Sequence, residues 1–99
     1  MTPLTLTLRH VAQSASLEER VRDSVQRLER SNGRIAHCHL TVEGPVPSDA
    51  HAAYAVKLEL SLPGACIRAD TGPQSDVFRA LRAAFDDAKR QLQSLRWDH

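Results

Sequence analysis

Several features that mark common functional classes are scarce in this sequence. Its 99 residues include only two Phe, one Tyr and one Trp, which argues against an aromatic stacking platform for single-stranded nucleic acid. The two cysteines, Cys38 and Cys66, form no C-x-x-C motif, so neither a disulfide framework nor a zinc site is indicated. The formal net charge is only +1, well below the strongly basic balance of a typical nucleic-acid-binding domain.

Targeting and membrane signals are also missing. No stretch approaches the roughly 20 apolar residues that a membrane span needs, and residues 1–4 lack the basic and apolar regions of a signal peptide. We therefore expect a cytoplasmic protein with no membrane partner. A chain of this length, 41% apolar and 25% charged, predicts one globular domain over residues 1–99.

The motifs of catalysis are absent as well. The sequence has no G-x-S-x-G element, and nothing links Cys66 to a histidine base. The glycines stand singly and form no phosphate-binding loop. Asp86 and Asp87 are adjacent on a predicted helix, so their carboxylates point in different directions. We expect no enzyme activity, no cofactor and no small-molecule substrate.

What is present is clear hydrophobic periodicity. Alternating apolar residues predict strands at residues 4–9, 35–43, 54–62 and 65–70, with a tight turn at Pro63-Gly64. In the second strand, one face is expected to carry Ala36, Cys38, Leu40 and Val42. These strands each have one apolar face, which predicts a sheet covered on one side only.

Two segments show helical spacing. The first helix is expected to begin after Ser14 or Ser16 and to end at Ser31-Asn32-Gly33. The second is expected to begin at Ser75 or Asp76. Their apolar stripes are Leu17, Val21, Val25 and Leu28, and then Val77, Leu81, Ala84, Phe85, Ala88, Leu92 and Leu95.

The element order predicts the fold class. It is α/β, more narrowly α+β: β-α-β-β-β-α, a four-stranded mixed sheet with two helices packed on one face. A right-handed crossover makes the first two strands parallel, and the remaining strands form an antiparallel meander. His37 and His39 fall on the open face, where they are either solvent-facing histidines or two ligands of a metal site that lacks a third.

Arginines on both predicted helices are the most informative polar residues. The planar guanidinium donates two parallel hydrogen bonds to a phosphate, so two adjacent helices with such residues suit an RNA backbone. Acids are interleaved with them, Asp86 among others, and a solvated, salt-bridged helix face is the alternative interpretation.

Several short segments add local patterns to this element order: Arg9-His10-Val11, Leu17 through Arg30 with Leu28-Glu29-Arg30, residues 60–64, Asp76-Val77-Phe78 with Ala80-Leu81, and Arg90-Gln91-Leu92. Taken together, these features resemble the ribosome hibernation family, which comprises hibernation-promoting factor and ribosome-associated inhibitor A and is also labelled sigma-54 modulation protein. The element order and length match over nearly the whole chain. Two positions depart from the family's pattern, because Asp87 stands where a lysine is usual and Arg82 where an aspartate is usual.

The resemblance implies the short form of that family. Such a protein binds the small ribosomal subunit and its ribosomal RNA, and it inhibits translation under stress by occluding the mRNA and tRNA channel. We expect a monomer or a weak homodimer. The RNA-binding residues that the resemblance implies are Arg22, Arg27 and Arg30 on the first helix, and Arg79, Arg82, Lys89 and Arg90 on the second.

Two other hypotheses remain open at this point. The same fold, without ribosome binding, would serve as a protein-interaction or regulatory module that uses the open sheet face or a sheet edge. A third hypothesis is a metal-responsive protein that uses His37 and His39. Salt dependence separates the first two, because phosphate contacts weaken steeply with added salt.

Overall fold

The computed structural model of the chain describes residues 3–31, 34–45 and 53–94. The observed order confirms the predicted β-α-β-β-β-α arrangement of a four-stranded mixed sheet with two helices. The elements are β1 (Leu4–Arg9), α1 (Ala15–Ser31), β2 (His37–Glu43), β3 (Ala55–Leu62), β4 (Ala65–Asp70) and α2 (Val77–Ser94).

The strands lie in the sheet in their order along the chain, β1-β2-β3-β4. β1 pairs in parallel with β2, with Leu4 opposite Cys38, and α1 forms the crossover between them. β2, β3 and β4 pair antiparallel, and the turn from β3 to β4 contains Gly64 at a φ of 75°. This topology confirms the predicted parallel pair followed by a meander.

A single apolar core lies between the sheet and the helices. Every second residue of β2 and β3 is buried, and Leu40 and Leu58 have no exposed surface. The described residues of both predicted stripes are buried against them, Val77 only partly, so both helices cover the same face of the sheet. Within the described residues, neither helix is long and apolar enough to cross a membrane.

The structure selects one cap for each helix from the predicted pairs. Ser14 accepts a hydrogen bond at its Oγ from the Leu17 amide at 3.2 Å, and Asp76 accepts one at its Oδ1 from the Phe78 amide at 2.9 Å. Each side chain satisfies an amide that the first helical turn leaves unpaired. The predicted end of α1 at Asn32-Gly33 and the stripe residue Leu95 lie outside the described residues.

The start of the second strand was predicted two residues too early. β2 begins at His37, and the side chain of Ala36, which was expected on the core face, is exposed. Ile35 and Cys38 are both buried, so the two-residue alternation breaks between them. The Ala36 amide donates to the carbonyl of Ser61 at 2.7 Å, which joins this segment to the end of β3.

Candidate nucleic-acid interface

A groove of about 420 Å³ lies between α1 and α2. It forms because the apolar stripes of the two helices face the sheet and the core, which leaves their polar flanks facing each other. Four cationic side chains from both helices line it. They are Arg20 and Arg27 of α1, and Arg82 and Lys89 of α2.

The floor of the groove is apolar. Leu28, Leu81 and Phe85 of the core line it from below, and the half-buried ring of Phe78 lies beside them. The guanidinium of Arg20 lies over the Phe78 ring, with its central carbon 5.2 Å from the ring centroid. This distance is within the range of a cation–π interaction, which orients the Arg20 side chain at the groove.

Acidic side chains reduce the positive charge of the groove without cancelling it. Asp86 is the one carboxylate among the residues that line it. Asp23 lies at the rim, where its Oδ2 is 3.2 Å from an Arg27 guanidinium nitrogen. Both partners of that pair are largely exposed, so solvent screens their attraction and the pair is weak.

Asp87 lies on the other flank of α2, where its carboxylate contacts Arg90 and Gln91. One oxygen of the carboxylate is 3.4 Å from the guanidinium of Arg90. The other accepts a hydrogen bond from the side-chain Nε2 of Gln91 at 3.1 Å. The same Gln91 nitrogen donates to the carbonyl of Arg68 on β4 at 2.8 Å. Asp87 therefore belongs to the contact between α2 and the sheet edge.

The structure divides the seven predicted RNA-binding residues into two sets. Arg27, Arg82 and Lys89 meet in the groove. The other four are exposed but do not line it: Arg22, Arg30, Arg79 and Arg90. Arg30 lies in the last turn of α1, where a cation interacts favourably with the helix dipole.

A second groove, of about 670 Å³, runs between α1 and the edge strand β1. Leu4, Leu6, Val21 and Val25 supply its apolar surface. Arg22 lies here, on the opposite flank of α1 from Arg27. The polar side chains along this groove are Glu18, Arg22, Gln26 and Glu29.

The open face of the sheet carries the two strand histidines. His37 is half-buried, with its Nε2 3.0 Å from the Thr5 hydroxyl on β1, and His39 is exposed. Lys57 pairs with Glu43 across β2 and β3 at 3.7 Å. Among the residues that the structure describes, no three histidine, cysteine or acidic side chains come together as metal ligands.

Sequence reasoning counted Arg20 among the arginines of the first helix but not among the implied RNA-binding residues, and it assigned no role to Phe78, although a signal was available. Arg20, Ser24 and Arg27 are spaced at i, i+4 and i+7, and so are Phe78, Arg82 and Phe85. This spacing aligns each set along one flank of its helix. Which flank faces the neighbouring helix depends on how the helices pack on the sheet, and the spacing alone does not predict that packing.

The fold and the groove define a small α+β domain with an anion-attracting cleft between its two helices. Residues 4–96 match the family described as sigma 54 modulation protein / S30EA ribosomal protein, and the chain belongs to this family. This membership confirms the resemblance drawn from the sequence. No curated protein sequence matches the chain.

The solved structures that share the fold include the following two. The crystal structure of the Protein Y N-terminal domain from Thermus thermophilus has a TM-score of 0.74 and 19% identity, covering 97% of this chain and all of that one. A ribosomal subunit interface protein from Coxiella burnetii has a TM-score of 0.79 and 18% identity, covering 94% of this chain and 96% of that one. At such identities the similarity establishes the shared architecture.

Proposed function

We propose that this protein binds the small ribosomal subunit in the cytoplasm and inhibits translation by occluding the channel for mRNA and tRNA. The observation that carries the proposal is the cationic groove between α1 and α2, in a chain that belongs to the S30EA family. The ribosomal subunit interface protein of Coxiella burnetii, which has the same fold, supports it.

The electrostatics of the groove suit ribosomal RNA despite a net charge of only +1. Phosphate contacts depend on where cations are clustered, and four of them line one cleft against a single carboxylate. Arg27, Arg82 and Lys89 are the central phosphate ligands of this proposal. Around them, Arg22, Arg30, Arg79 and Arg90 extend a cationic surface over the exposed sides of both helices.

The mechanism requires no chemistry on the RNA. A domain seated in the channel excludes mRNA and tRNA by its volume, and the arginine–phosphate contacts hold it there. We propose that the protein acts as a monomer or a weak homodimer, without a cofactor. Release then follows from competition or from added salt, because each phosphate contact releases bound counterions.

Co-sedimentation with purified small subunits and intact ribosomes, at low and at moderate salt, tests the proposal. The wild-type protein should pellet with ribosomes at low salt and less at moderate salt. The double variant Arg82→Gln with Lys89→Gln should stay in the supernatant. A protein that stays in the supernatant at low salt would overturn the proposal.

A matched control removes the same two charge types from the other side of the molecule. Arg68→Gln with Lys57→Gln changes one arginine and one lysine on the open sheet face, both exposed. The net charge of the two double variants is identical. If both lose ribosome binding equally, overall charge governs binding and the groove is not its site. An in vitro translation assay of the same variants tests inhibition.

The groove between β1 and α1 favours a second candidate, a protein-interaction module. Its apolar surface, with Leu4 and Leu6 only partly buried on an edge strand, is typical of a protein contact. Such a contact would be insensitive to moderate salt, unlike phosphate binding. A wild-type protein that stays in the supernatant with ribosomes at low salt, yet forms a complex with another protein or a second copy of itself that persists in moderate salt, would favour this candidate.

A further inference from the structure

The contact between Arg20 and Phe78 gives one end of the inter-helix groove a different chemistry from the rest. Along the rest of the groove, cationic side chains lie above the apolar floor. At this end a guanidinium lies over an aromatic ring, 5.2 Å from the ring centroid, in a groove with an apolar floor. A guanidinium plane held in this way presents a flat surface on which an unstacked base can stack.

The distances along α2 place phosphate ligands next to this surface. Arg82 is four residues from Phe78, which is about 6 Å of helix rise. A base stacked on Arg20 therefore has a cation beside its own backbone, and Arg27 and Lys89 lie further along for the following phosphates.

We infer that the groove binds an unstacked nucleotide of RNA, with its base on the guanidinium of Arg20 and its phosphates on Arg82, Lys89 and Arg27. This inference rests on the proposed function and deepens it, because it names the form of RNA that the groove selects. A regular duplex keeps its bases stacked and paired, and so offers phosphates but no free base. One stacking position suffices here, which is compatible with a sequence that has few aromatic residues.

Two RNA hairpins test the inference. They share one sequence, and one of them carries a single bulged 2-aminopurine nucleotide. Binding is measured by fluorescence anisotropy of an end label, and stacking by quenching of the 2-aminopurine emission. The wild-type protein should bind the bulged hairpin about tenfold more tightly than the paired hairpin and should quench the bulged base.

Paired arginine-to-lysine variants separate stacking from charge. Arg20→Lys keeps the positive charge and removes the flat guanidinium, so the preference for the bulged hairpin and the quenching should both be lost. Arg27→Lys makes the same change in the same groove at a phosphate position, and should keep both. Both arginines are exposed, so neither change should unfold the protein.

Three results would overturn the inference: equal wild-type affinity for the two hairpins, a preference that survives Arg20→Lys, or a preference lost equally in Arg27→Lys. Co-sedimentation of the same proteins with ribosomes distinguishes this failure from failure of the proposed function. Ribosome binding without any bulge preference removes the inference alone. Absence of ribosome binding by the wild-type protein removes the proposed function.

Discussion

The backbone amide of Gly44 donates a hydrogen bond to the carbonyl of Arg9 at 2.7 Å, where the parallel strands β1 and β2 both end. The approach is so close that a Cβ atom on Gly44 would collide with the carbonyl oxygen of His10. His10 itself has a φ of 57°, a left-handed conformation that is uncommon outside glycine. The end of the β1–β2 pair thus depends on a residue without a side chain.

Gly44→Ala is therefore expected to destabilise the protein by about 1–3 kcal/mol, because the added methyl group collides with backbone that must shift. Urea unfolding followed by circular dichroism measures this. Gly72→Ala is the matched control, since a Cβ there meets no atom within 4 Å, and should change stability by less than about 0.5 kcal/mol. Equal effects at the two glycines would contradict this account.

Ser14→Ala should destabilise the protein by about 1 kcal/mol, because the Leu17 amide at the start of α1 loses its acceptor. Ser16, two residues further on, lies inside the first turn of α1. Ser16→Ala places a better helix former there and should be neutral or slightly stabilising. Thermal unfolding of the two variants measures both effects. A larger loss of stability for Ser16→Ala than for Ser14→Ala would show that Ser14 is not the cap.

The two cysteines should differ sharply in reactivity. Cys66 is exposed, whereas Cys38 has no exposed surface and burial raises the pKa of its thiol from 9.0 to about 12. Because only the thiolate reacts, Cys38 should be inert at mildly alkaline pH. A chromogenic disulfide reagent should titrate one thiol in the native protein and two after denaturation. Native Cys66→Ser should give none, and a reactive native Cys66→Ser protein would contradict the burial of Cys38.

The raised pKa of Cys38 also makes the stability of the fold depend on pH. Between pH 9 and pH 12 the folded state keeps the Cys38 proton while the unfolded state loses it. The contribution of Cys38 to the free energy of unfolding is therefore fully present below pH 9 and falls as the pH rises toward 12.

The adjacent acids Asp86 and Asp87 should have different effects on RNA binding. Asp86→Asn removes the carboxylate from the groove lining and should raise affinity for an RNA hairpin about two- to fivefold. Asp87→Asn changes the net charge equally, but its carboxylate lies with Arg90 and Gln91 on the other flank. Asp87→Asn should therefore raise the affinity for the RNA hairpin less than Asp86→Asn does, as measured by fluorescence anisotropy. Equal gains in affinity would mean that the groove is not where the RNA binds.

The sequence predicted the fold well because hydrophobic spacing determines it directly. Alternation along β3 and the stripe of α1 each specify which side chains enter the core, and all of those residues are buried. The error at Ala36 arose where a strand joins a loop, since an alternating pattern does not show where backbone pairing begins. There the Ala36 amide pairs with Ser61, outside the ladder of β2.

The groove was predicted less completely than the fold. The number of arginines on each helix was visible, but their grouping depends on the packing of α1 beside α2. Arg22 and Arg27 seemed equivalent by type, yet they lie on opposite flanks of α1. The role of Arg20 required knowing that Phe78, 58 residues later, lies beneath it.

The register between β1 and β2 has a consequence for how the chain folds. β3 and β4 meet across a two-residue turn, whereas Leu4 must find Cys38 after the whole of α1 has intervened. Closing that longer loop costs more conformational entropy. In the described sheet β1 pairs only with β2, so the hydrogen bonds of one strand pair must offset this cost. In pulse-labelling hydrogen exchange during refolding, the amides of β1 should gain protection after those of β3 and β4. The strand that comes first in this sheet along the chain is then the last to be held in place.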